Sequence, residues 1–415
     1  MPAKQQTAVS RPPKVAAVHL LTKGLQAVRS RHPWIFEDSI AKMPSGMCAG
    51  DIAVLFDGRR KLGAALIDPR SDIRLRVLAF GSLAPDIGPE LFRLLAEKAA
   101  VRRVGLFGPE TNAWRLINGE SDGFSGLAAD RYGDVLSVKV YSAAWLPHLE
   151  NVLTALRQVS PELKRTAVRL SREVASLSPA SRLNYEDGML TGEDGWDGTV
   201  RFLENGLTFE TNVRMGQKTG FFLDQRENRA KVGEYARGAG KVLNVFSYSG
   251  GFSLYAARNG AREVTDIDFS KPALDASEHN FSLNRHFPGV ADCRHRTLPD
   301  DAFHAMHELE LRGERFDVVI VDPPSFAKAS GERVQALNSY SRLAAQAVRL
   351  LRKNGLLVFA SCSSRVKADE LFAEVHRSAR TAGRPLRELE RRAEAPDHPA
   401  DFKESHYLKC MYARG

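Results

Sequence analysis

Leu243-Asn244-Val245-Phe246-Ser247-Tyr248-Ser249-Gly250-Gly251-Phe252-Ser253 runs an apolar strand through a small polar turn into the start of a helix. Glycines at such a junction let a ligand approach the backbone, and the free amides of a helix N-terminus attract one. Phe246, Ser247 and Gly250 are the candidate ligand-lining positions of this turn. The spacing is not G-x-G-x-x-G, so read alone the stretch suits a purely structural strand-to-helix turn equally well. The next strand, Val264-Thr265-Asp266-Ile267-Asp268, adds a second sign. Asp268 ends it about twenty residues on, where a carboxylate can accept both ribose hydroxyls of a nucleoside cofactor. The same Asp268 also suits the first turn of the helix begun by Ser270 and Pro272. Asp301, in Pro299-Asp300-Asp301-Ala302-Phe303, is placed only on a loop and could accept from an adenine amino group. A nucleoside cofactor without a diphosphate-type glycine loop points to S-adenosylmethionine rather than NAD or ATP.

Outward from this turn, strands and helices alternate. Strands are expected over Lys241–Phe246, Glu263–Ile267, Phe316–Val321 and Leu356–Ala360. Helices are expected over Phe252–Arg258, Pro272–Asn284 and Val334–Arg352, the last ended by Asn354-Gly355. Such alternation predicts an α/β fold with a mainly parallel doubly wound sheet, whose ligands bind beyond the carboxyl ends of the strands. Two later strands end in chemistry: Asp322-Pro323-Pro324-Ser325-Phe326 follows one, and Ser361-Cys362-Ser363-Ser364 follows the other. If these strands are neighbours, as is usual in such sheets, Asp322 and Cys362 lie roughly 5 Å apart and face the methyl donor.

The N-terminal part has another texture. From Val18 to Phe80 short apolar stretches alternate with turns at Asp57-Gly58 and Asp68-Pro69, the pattern of a small β-rich barrel. Gly81 to Pro89 reads as a linker. A helix over Leu91–Arg103, a strand over Val135–Tyr141 and a helix around Leu149–Leu156 make a mixed α/β region, closed by a loop over Glu186–Gly198. Asn205-Gly206, between Val200–Leu203 and Leu207–Glu210, is a two-residue hairpin signal.

Composition narrows the function. At 415 residues, 43% hydrophobic and 26% charged, the chain is a soluble globular protein of two or three domains. The segment Val15–Leu21 is far shorter than the roughly eighteen residues of a membrane span, so no secretory signal or membrane anchor is expected. Cys48, Cys293, Cys362 and Cys410 lie apart without C-x-x-C spacing, which speaks against zinc and disulfides and for a reducing cytoplasm. Of the net charge of +9, residues 1–80 hold thirteen Lys and Arg against six acids, 13 − 6 = +7. A localised basic field suits a polyanion, although it also suits a solvated basic face. Arg29, Arg31, Arg59, Arg60 and Lys61 are the candidate contacts for such a polyanion, and Trp34 in Arg31-His32-Pro33-Trp34 is either a contact or a barrel-core residue.

The Asp322 and Cys362 pair fits methylation of a pyrimidine carbon. C5 of cytosine is a poor nucleophile, but a thiolate added at C6 turns the ring into an enamine whose C5 can attack a sulfonium methyl. A thiol of pKa about 8.5 is already a few per cent thiolate at neutral pH and is a good leaving group. Asp322 could hold the protonated ring nitrogen or the amino group as charge develops. Alone, Cys362 would more often be a small buried hydrophobe at a strand end.

Taken together these motifs, with Arg31-His32-Pro33-Trp34-Ile35-Phe36, Asn118-Gly119-Glu120-Ser121-Asp122-Gly123-Phe124-Ser125-Gly126-Leu127, Asp130-Arg131-Tyr132-Gly133-Asp134 and Lys218-Thr219-Gly220-Phe221-Phe222-Leu223-Asp224-Gln225-Arg226-Glu227-Asn228-Arg229, resemble the RlmI-like family of class I S-adenosylmethionine-dependent methyltransferases, which modify a cytosine of large-subunit ribosomal RNA at C5. The resemblance covers nearly the whole chain. It implies a PUA RNA-binding domain over residues 1–83, a central α/β domain over 84–198, and over 199–415 a hairpin and a Rossmann-like methyltransferase domain. It implies Cys362 as nucleophile, Asp322 as its partner beside the cofactor, Asp268 and Asp301 as cofactor contacts, and, weakly, a homodimer. Gln225 is placed to touch cofactor or base, or else is a connector held by Asp224 and Arg226. One departure stands out: Ser325 occupies the position where other RNA cytosine methyltransferases carry a second Cys, so the base that removes the C5 proton, water or Asp322, stays open. Adenine-N6 methyltransferases share Asp-Pro-Pro but follow it with an aromatic residue and have no use for Cys362. A non-catalytic RNA-binding assembly factor on the same fold is the other alternative. Either enzyme would unstack its target base before reaction.

Overall fold

A computed structural model describes residues 11–83, 85–177, 185–216, 218–326 and 330–415. The chain forms two compact units, each gathered from separate stretches of sequence.

The first unit comprises residues 1–202, 211–221 and 396–402. Its N-terminal sheet has six strands in the order Trp34–Ile35, Leu75–Phe80, Arg60–Ile67, Ile52–Asp57, Val15–Leu20, Ile40–Lys42. Val18, Leu55, Ala65, Ile67 and Leu75 are fully buried beneath it. A five-stranded sheet follows in the order Met189–Thr191, Arg165–Leu170, Val135–Val140, Leu127–Tyr132, Ala113–Asn118. Helices Pro89–Val101 and Leu149–Val159 pack on it through Phe92, Leu149, Val152 and Leu156. The stretch read as a loop over residues 186–198 contains the edge strand Met189–Thr191, too short to stand out among its glycines and acids.

Carboxylates fasten this unit. Asp122 takes both guanidinium nitrogens of buried Arg103 at 2.8 and 2.7 Å, and Asn118 N at 2.7 Å. Glu120 accepts from Trp34 Nε1 at 2.9 Å, Ser125 Oγ at 3.0 Å and Gly126 N at 3.0 Å. Trp34 is thus a half-buried structural residue, edge-on to Phe402 at 5.3 Å, rather than part of the barrel core. The late segment 396–402 is part of the same fabric: Arg103 donates to Asp397 O at 2.9 Å, Asp397 Oδ2 accepts from Arg115 N at 2.8 Å, and Arg102 grips Asp401 at 2.7 and 2.9 Å.

The second unit comprises residues 203–210, 222–395 and 403–415. Its seven strands are β1 (Lys241–Val245), β2 (Glu263–Asp268), β3 (Arg294–Pro299), β4 (Phe316–Val321), β5 (Leu351–Ser361), β6 (Arg387–Arg392) and β7 (Lys409–Arg414). The order is β3-β2-β1-β4-β5-β7-β6, parallel from β3 to β5 and antiparallel beyond. Leu243, Val245, Val319, Val321, Leu357 and Phe359 are buried with helices Ala302–Leu311, Arg333–Leu350 and Ala368–Thr381. Their neighbours Val242, Val318 and Val358 are equally buried on the other face, which explains the unbroken apolar runs of β4 and β5. The helix expected over Val334–Arg352 ends earlier, at Leu350, where the extended Leu351 starts β5, and Arg352 in that strand bonds Asp317 at 2.9 Å. Asn205 and Gly206 both take left-handed φ, 49° and 80°, as a tight hairpin requires. Among the described residues no helix is long and apolar enough to cross a membrane.

Candidate active site

The turn after β1 is held in an unusual backbone. Phe246, Tyr248 and Gly250 have φ of 63°, 49° and 74°, so β1 stops at Val245 rather than running through Phe246. Two of these residues carry a Cβ and pay for the left-handed region, so something must hold them there. Beneath the turn lies Asp266, fully buried, which accepts from Ser277 Oγ at 2.6 Å, His295 Nε2 at 2.9 Å, Asn244 Nδ2 at 3.3 Å and the Ser253 hydroxyl. His295 is clamped in turn by stacking on Phe281 at 3.8 Å. Above it, Asp268 binds the turn directly: its Oδ2 accepts from Tyr248 N and its Oδ1 from Ser270 N, both at 2.9 Å. A carboxylate offers about four acceptor positions, so this one can still take two hydroxyls. The Ser247 and Ser249 hydroxyls are buried and meet no hydrogen-bond partner among the described residues. Orphaned polar atoms beside a helix N-terminus and a strand-end carboxylate suit the amino-acid and ribose parts of S-adenosylmethionine.

Asp301 is not on a free loop. It caps helix Ala302–Leu311, Oδ1 accepting from Phe303 N at 2.9 Å and His304 N at 3.1 Å, and it stays exposed at the end of β3. The sequence signal was present, Asp before an apolar helical run, but it is the ordinary signal of a cap.

Asp322 and Cys362 come next. β4 and β5 pair in parallel with Val321 opposite Phe359; Asp322 directly follows β4 and Cys362 directly follows β5. Both residues are partly exposed. Gln225, 4% exposed, donates Nε2 to Asp322 Oδ2 at 2.8 Å. The direction of that bond is set from below: Tyr412 Oη lies 3.1 Å from Asn228 Oδ1, and Asn228 Nδ2 donates to Gln225 Oε1 at 2.6 Å, leaving the Gln225 amide NH₂ for Asp322. Gln225 therefore orients the carboxylate.

The Cys362 turn is equally fixed. Ser361 Oγ lies 2.8 Å from the Tyr340 hydroxyl and accepts from Ser363 N at 3.2 Å. Burial pushes the Tyr340 hydroxyl above its ordinary range, so it remains a neutral phenol. Lys409 Nζ donates to Ser363 O and to Val366 O. Sequence reasoning passed over Tyr340, Asn228 and Lys409; the one available signal was a lone Lys inside the apolar run Leu408-Lys409-Cys410-Met411-Tyr412. Two of the other thiols are poorly suited to attack. Cys410 is fully buried, which raises its pKa, and burial pushes Cys293 up to about 12.

In the first unit Arg29, Arg31, Arg59 and Arg60 are exposed and Lys61 half-buried. Arg29 pairs with Asp57 at 3.0 Å, and the Arg31 guanidinium lies 5.6 Å from the Phe80 ring centre.

Comparison with known proteins bears on these two units. A family model described as S-adenosylmethionine-dependent methyltransferase matches residues 122–414, and one described as a PUA-like domain matches residues 18–80. A curated protein of Deinococcus radiodurans named ribosomal RNA large subunit methyltransferase is 43% identical over 93% of this chain and 94% of its own length. A ribosomal RNA large subunit methyltransferase I of Alteromonas mediterranea is 35% identical over 93% and 95%. Among solved structures, a chain from Streptococcus mutans described as a SAM-dependent methyltransferase aligns with a TM-score of 0.79 over 96% of this chain and all (100%) of its own, at 21% identity.

Proposed function

The chain belongs to the S-adenosylmethionine-dependent methyltransferase family, and on that premise we propose that it methylates C5 of a cytosine in large-subunit ribosomal RNA through a covalent bond from Cys362 to C6. The observation that carries this reading is the pair of Cys362 and Asp322 at the tips of adjacent parallel strands, at the end of the sheet where Asp268 also lies. Ribosomal RNA as the substrate is supported by what the relatives are named for; cytosine and the covalent route rest on the chemistry of the pair. S-adenosylmethionine supplies an electrophilic sulfonium methyl, and Asp268, the amides of the Phe246–Gly251 turn and the Ser247 and Ser249 hydroxyls are the groups that would hold it, with Asp301 near the adenine.

The Cys362 thiolate adds to C6, and the π pair of C5=C6 moves to C5. Asp322, oriented by Gln225, stabilises the protonated N3 or the exocyclic amine as that electron density develops. C5 takes the methyl as the donor's S–CH3 bond breaks and its electron pair stays on sulfur, leaving a neutral thioether; a base then removes the C5 proton, and the S–C6 bond breaks to restore the aromatic ring and the thiolate. With Ser325 rather than a second Cys after Pro324, the proton passes to water or to Asp322. The reading assigns residues 1–83 to RNA binding through Arg29, Arg31, Arg59, Arg60 and Lys61, residues 84–198 to a central α/β domain, and 199–415 to methyl transfer.

The test is transfer of labelled methyl from S-adenosylmethionine to ribosomal RNA lacking modifications, with bisulfite mapping of the product. Wild type should yield 5-methylcytosine, and Cys362→Ala should lose at least about a thousandfold in rate, since removal of a covalent nucleophile forfeits its whole route. Label on adenine N6, or undiminished transfer by Cys362→Ala, would refute the covalent reading. A wild-type protein that binds RNA and cofactor without transfer would leave an assembly factor.

A further inference from the structure

Lys409 is a buried cation, 6% exposed, in the first position of β7, opposite Ser361 in register. An ammonium so placed has lost most of its hydration and must find acceptors. It has two, both on the segment that follows Cys362: the carbonyls of Ser363 and Val366, the latter at 2.7 Å. The charged and titratable groups around it are few. Glu394, its side chain 6% exposed, is the carboxylate whose charge reaches it; it is held by Tyr407 N at 2.7 Å and Leu408 N at 3.1 Å, and exposed His406 lies 3.6 Å from it. Tyr340 reaches the turn from its helix, Asp322 stands at the tip of the next strand, Arg365 is exposed on the turn itself, and Cys410 follows on β7. Of these groups Lys409 is the one buried cation, and the carbonyl it grips at Ser363 belongs to the residue joined to Cys362.

We propose that Lys409 is a positioning residue for Cys362: it ties down the turn that presents the sulfur and sets a fixed positive charge beside it, favouring thiolate over thiol. Burial draws the Lys409 amine below its ordinary range, while the charges of Cys362 and Glu394 draw it back, the mutual stabilisation expected of a lysine and thiolate that share a site. Glu394 works the other way on the sulfur, as a carboxylate that competes for the same cation. The proposal rests on Cys362 being the nucleophile, and its test is chosen to separate the two.

The measurement is the rate of alkylation of Cys362 by iodoacetamide as a function of pH, read at the Cys362 peptide by mass spectrometry so that Cys48, Cys293 and Cys410 do not interfere. Lys409→Met keeps the length and apolar bulk and removes the charge. At neutral pH its Cys362 should react about tenfold more slowly, one unit of thiol pKa, with the two profiles converging at high pH where both thiols are ionised. Methyl transfer should fall in kcat while the KM for S-adenosylmethionine stays within about twofold, because the cofactor turn is untouched. Glu394→Gln is the second arm: its amide oxygen can still accept from Tyr407 N and Leu408 N, and Cys362 should react about twofold to threefold faster at neutral pH. A folded Lys409→Met protein with the wild-type profile, or a Glu394→Gln protein with no gain or a loss, overturns the role of Lys409. Neither result touches the Cys362 reading, which falls only with undiminished transfer by Cys362→Ala or label on adenine.

Discussion

Gly250→Ala probes how the cofactor turn is built. A Cβ on Gly250 would lie 1.9 Å from Ser277 Oγ, 2.8 Å from Ser277 Cβ and 3.2 Å from Asp266 Oδ2. The backbone at φ 74° adds about 1–2 kcal/mol for a residue with a side chain. Forcing the methyl into the contact costs about 1–3 kcal/mol more, so a destabilisation of about 2–5 kcal/mol is expected. Relief by moving Ser277 breaks its bond to Asp266, and relief by moving the turn breaks Asp268 to Tyr248 N; either way S-adenosylhomocysteine should bind at least about tenfold more weakly. The four tryptophans, Trp34, Trp114, Trp145 and Trp196, all belong to the first unit, so urea unfolding followed by fluorescence reports on that unit, whereas circular dichroism senses both. The destabilisation should appear in the dichroism transition, with calorimetry giving the binding loss. Removing the hydroxyl in Gly250→Ala/Ser277→Ala clears the closest contact, so the pair should cost about 1 kcal/mol less than the sum of the singles. A loss under about 1 kcal/mol with unchanged binding would refute the account of the turn.

Two further outcomes follow from named contacts. Asp268→Asn puts an NH₂ against either Tyr248 N–H or Ser270 N–H, so cofactor affinity by calorimetry should fall at least about tenfold while the dichroism transition shifts by no more than about 1–2 kcal/mol; unchanged affinity would take Asp268 out of the site. The Arg102 guanidinium, bonded to both oxygens of Asp401, holds that carboxyl below its usual range. A depressed folded pKa stabilises above the unfolded pKa near pH 4 and is lost as pH falls below it. Because Asp401 is half exposed, the gap between wild type and Asp401→Asn should be under about 1 kcal/mol, flat from about pH 5 to 8 and closing below about pH 4; a gap that widened in acid would contradict this.

The parallel sheet was legible because strands buried on both faces are written as unbroken apolar runs, and Val318–Val321 could hardly be anything else. The Asn205-Gly206 hairpin was legible because few dipeptides accept two left-handed residues. β6 was not, since Arg387-Glu388-Leu389-Glu390-Arg391-Arg392 lies at a sheet edge and carries no apolar alternation. At the site, strand ends announce Asp268, Asp322 and Cys362, because position in a parallel sheet follows from the run that precedes them. Gln225, Tyr340 and Lys409 act through partners 21 to 97 positions away in the chain, and Asn228 links Gln225 to Tyr412, 184 positions on. No local pattern encodes a partner at that distance. Asp301 is the opposite case: its local pattern was complete and pointed to a helix cap, whereas the sequence reading places it on a loop.

The segment 396–402 supplies Asp397 to Arg103 and Arg115 and Asp401 to Arg102, although those arginines lie some three hundred residues earlier, with |i−j| of 294 for Arg103 and Asp397. In a growing chain the buried Arg103 guanidinium would therefore lack one of its acceptors until residues 396–402 had been made. Completion of the first unit thus waits on a segment made after most of the second, so that a polypeptide cut short before residue 396 carries both an unfinished first unit and no β7.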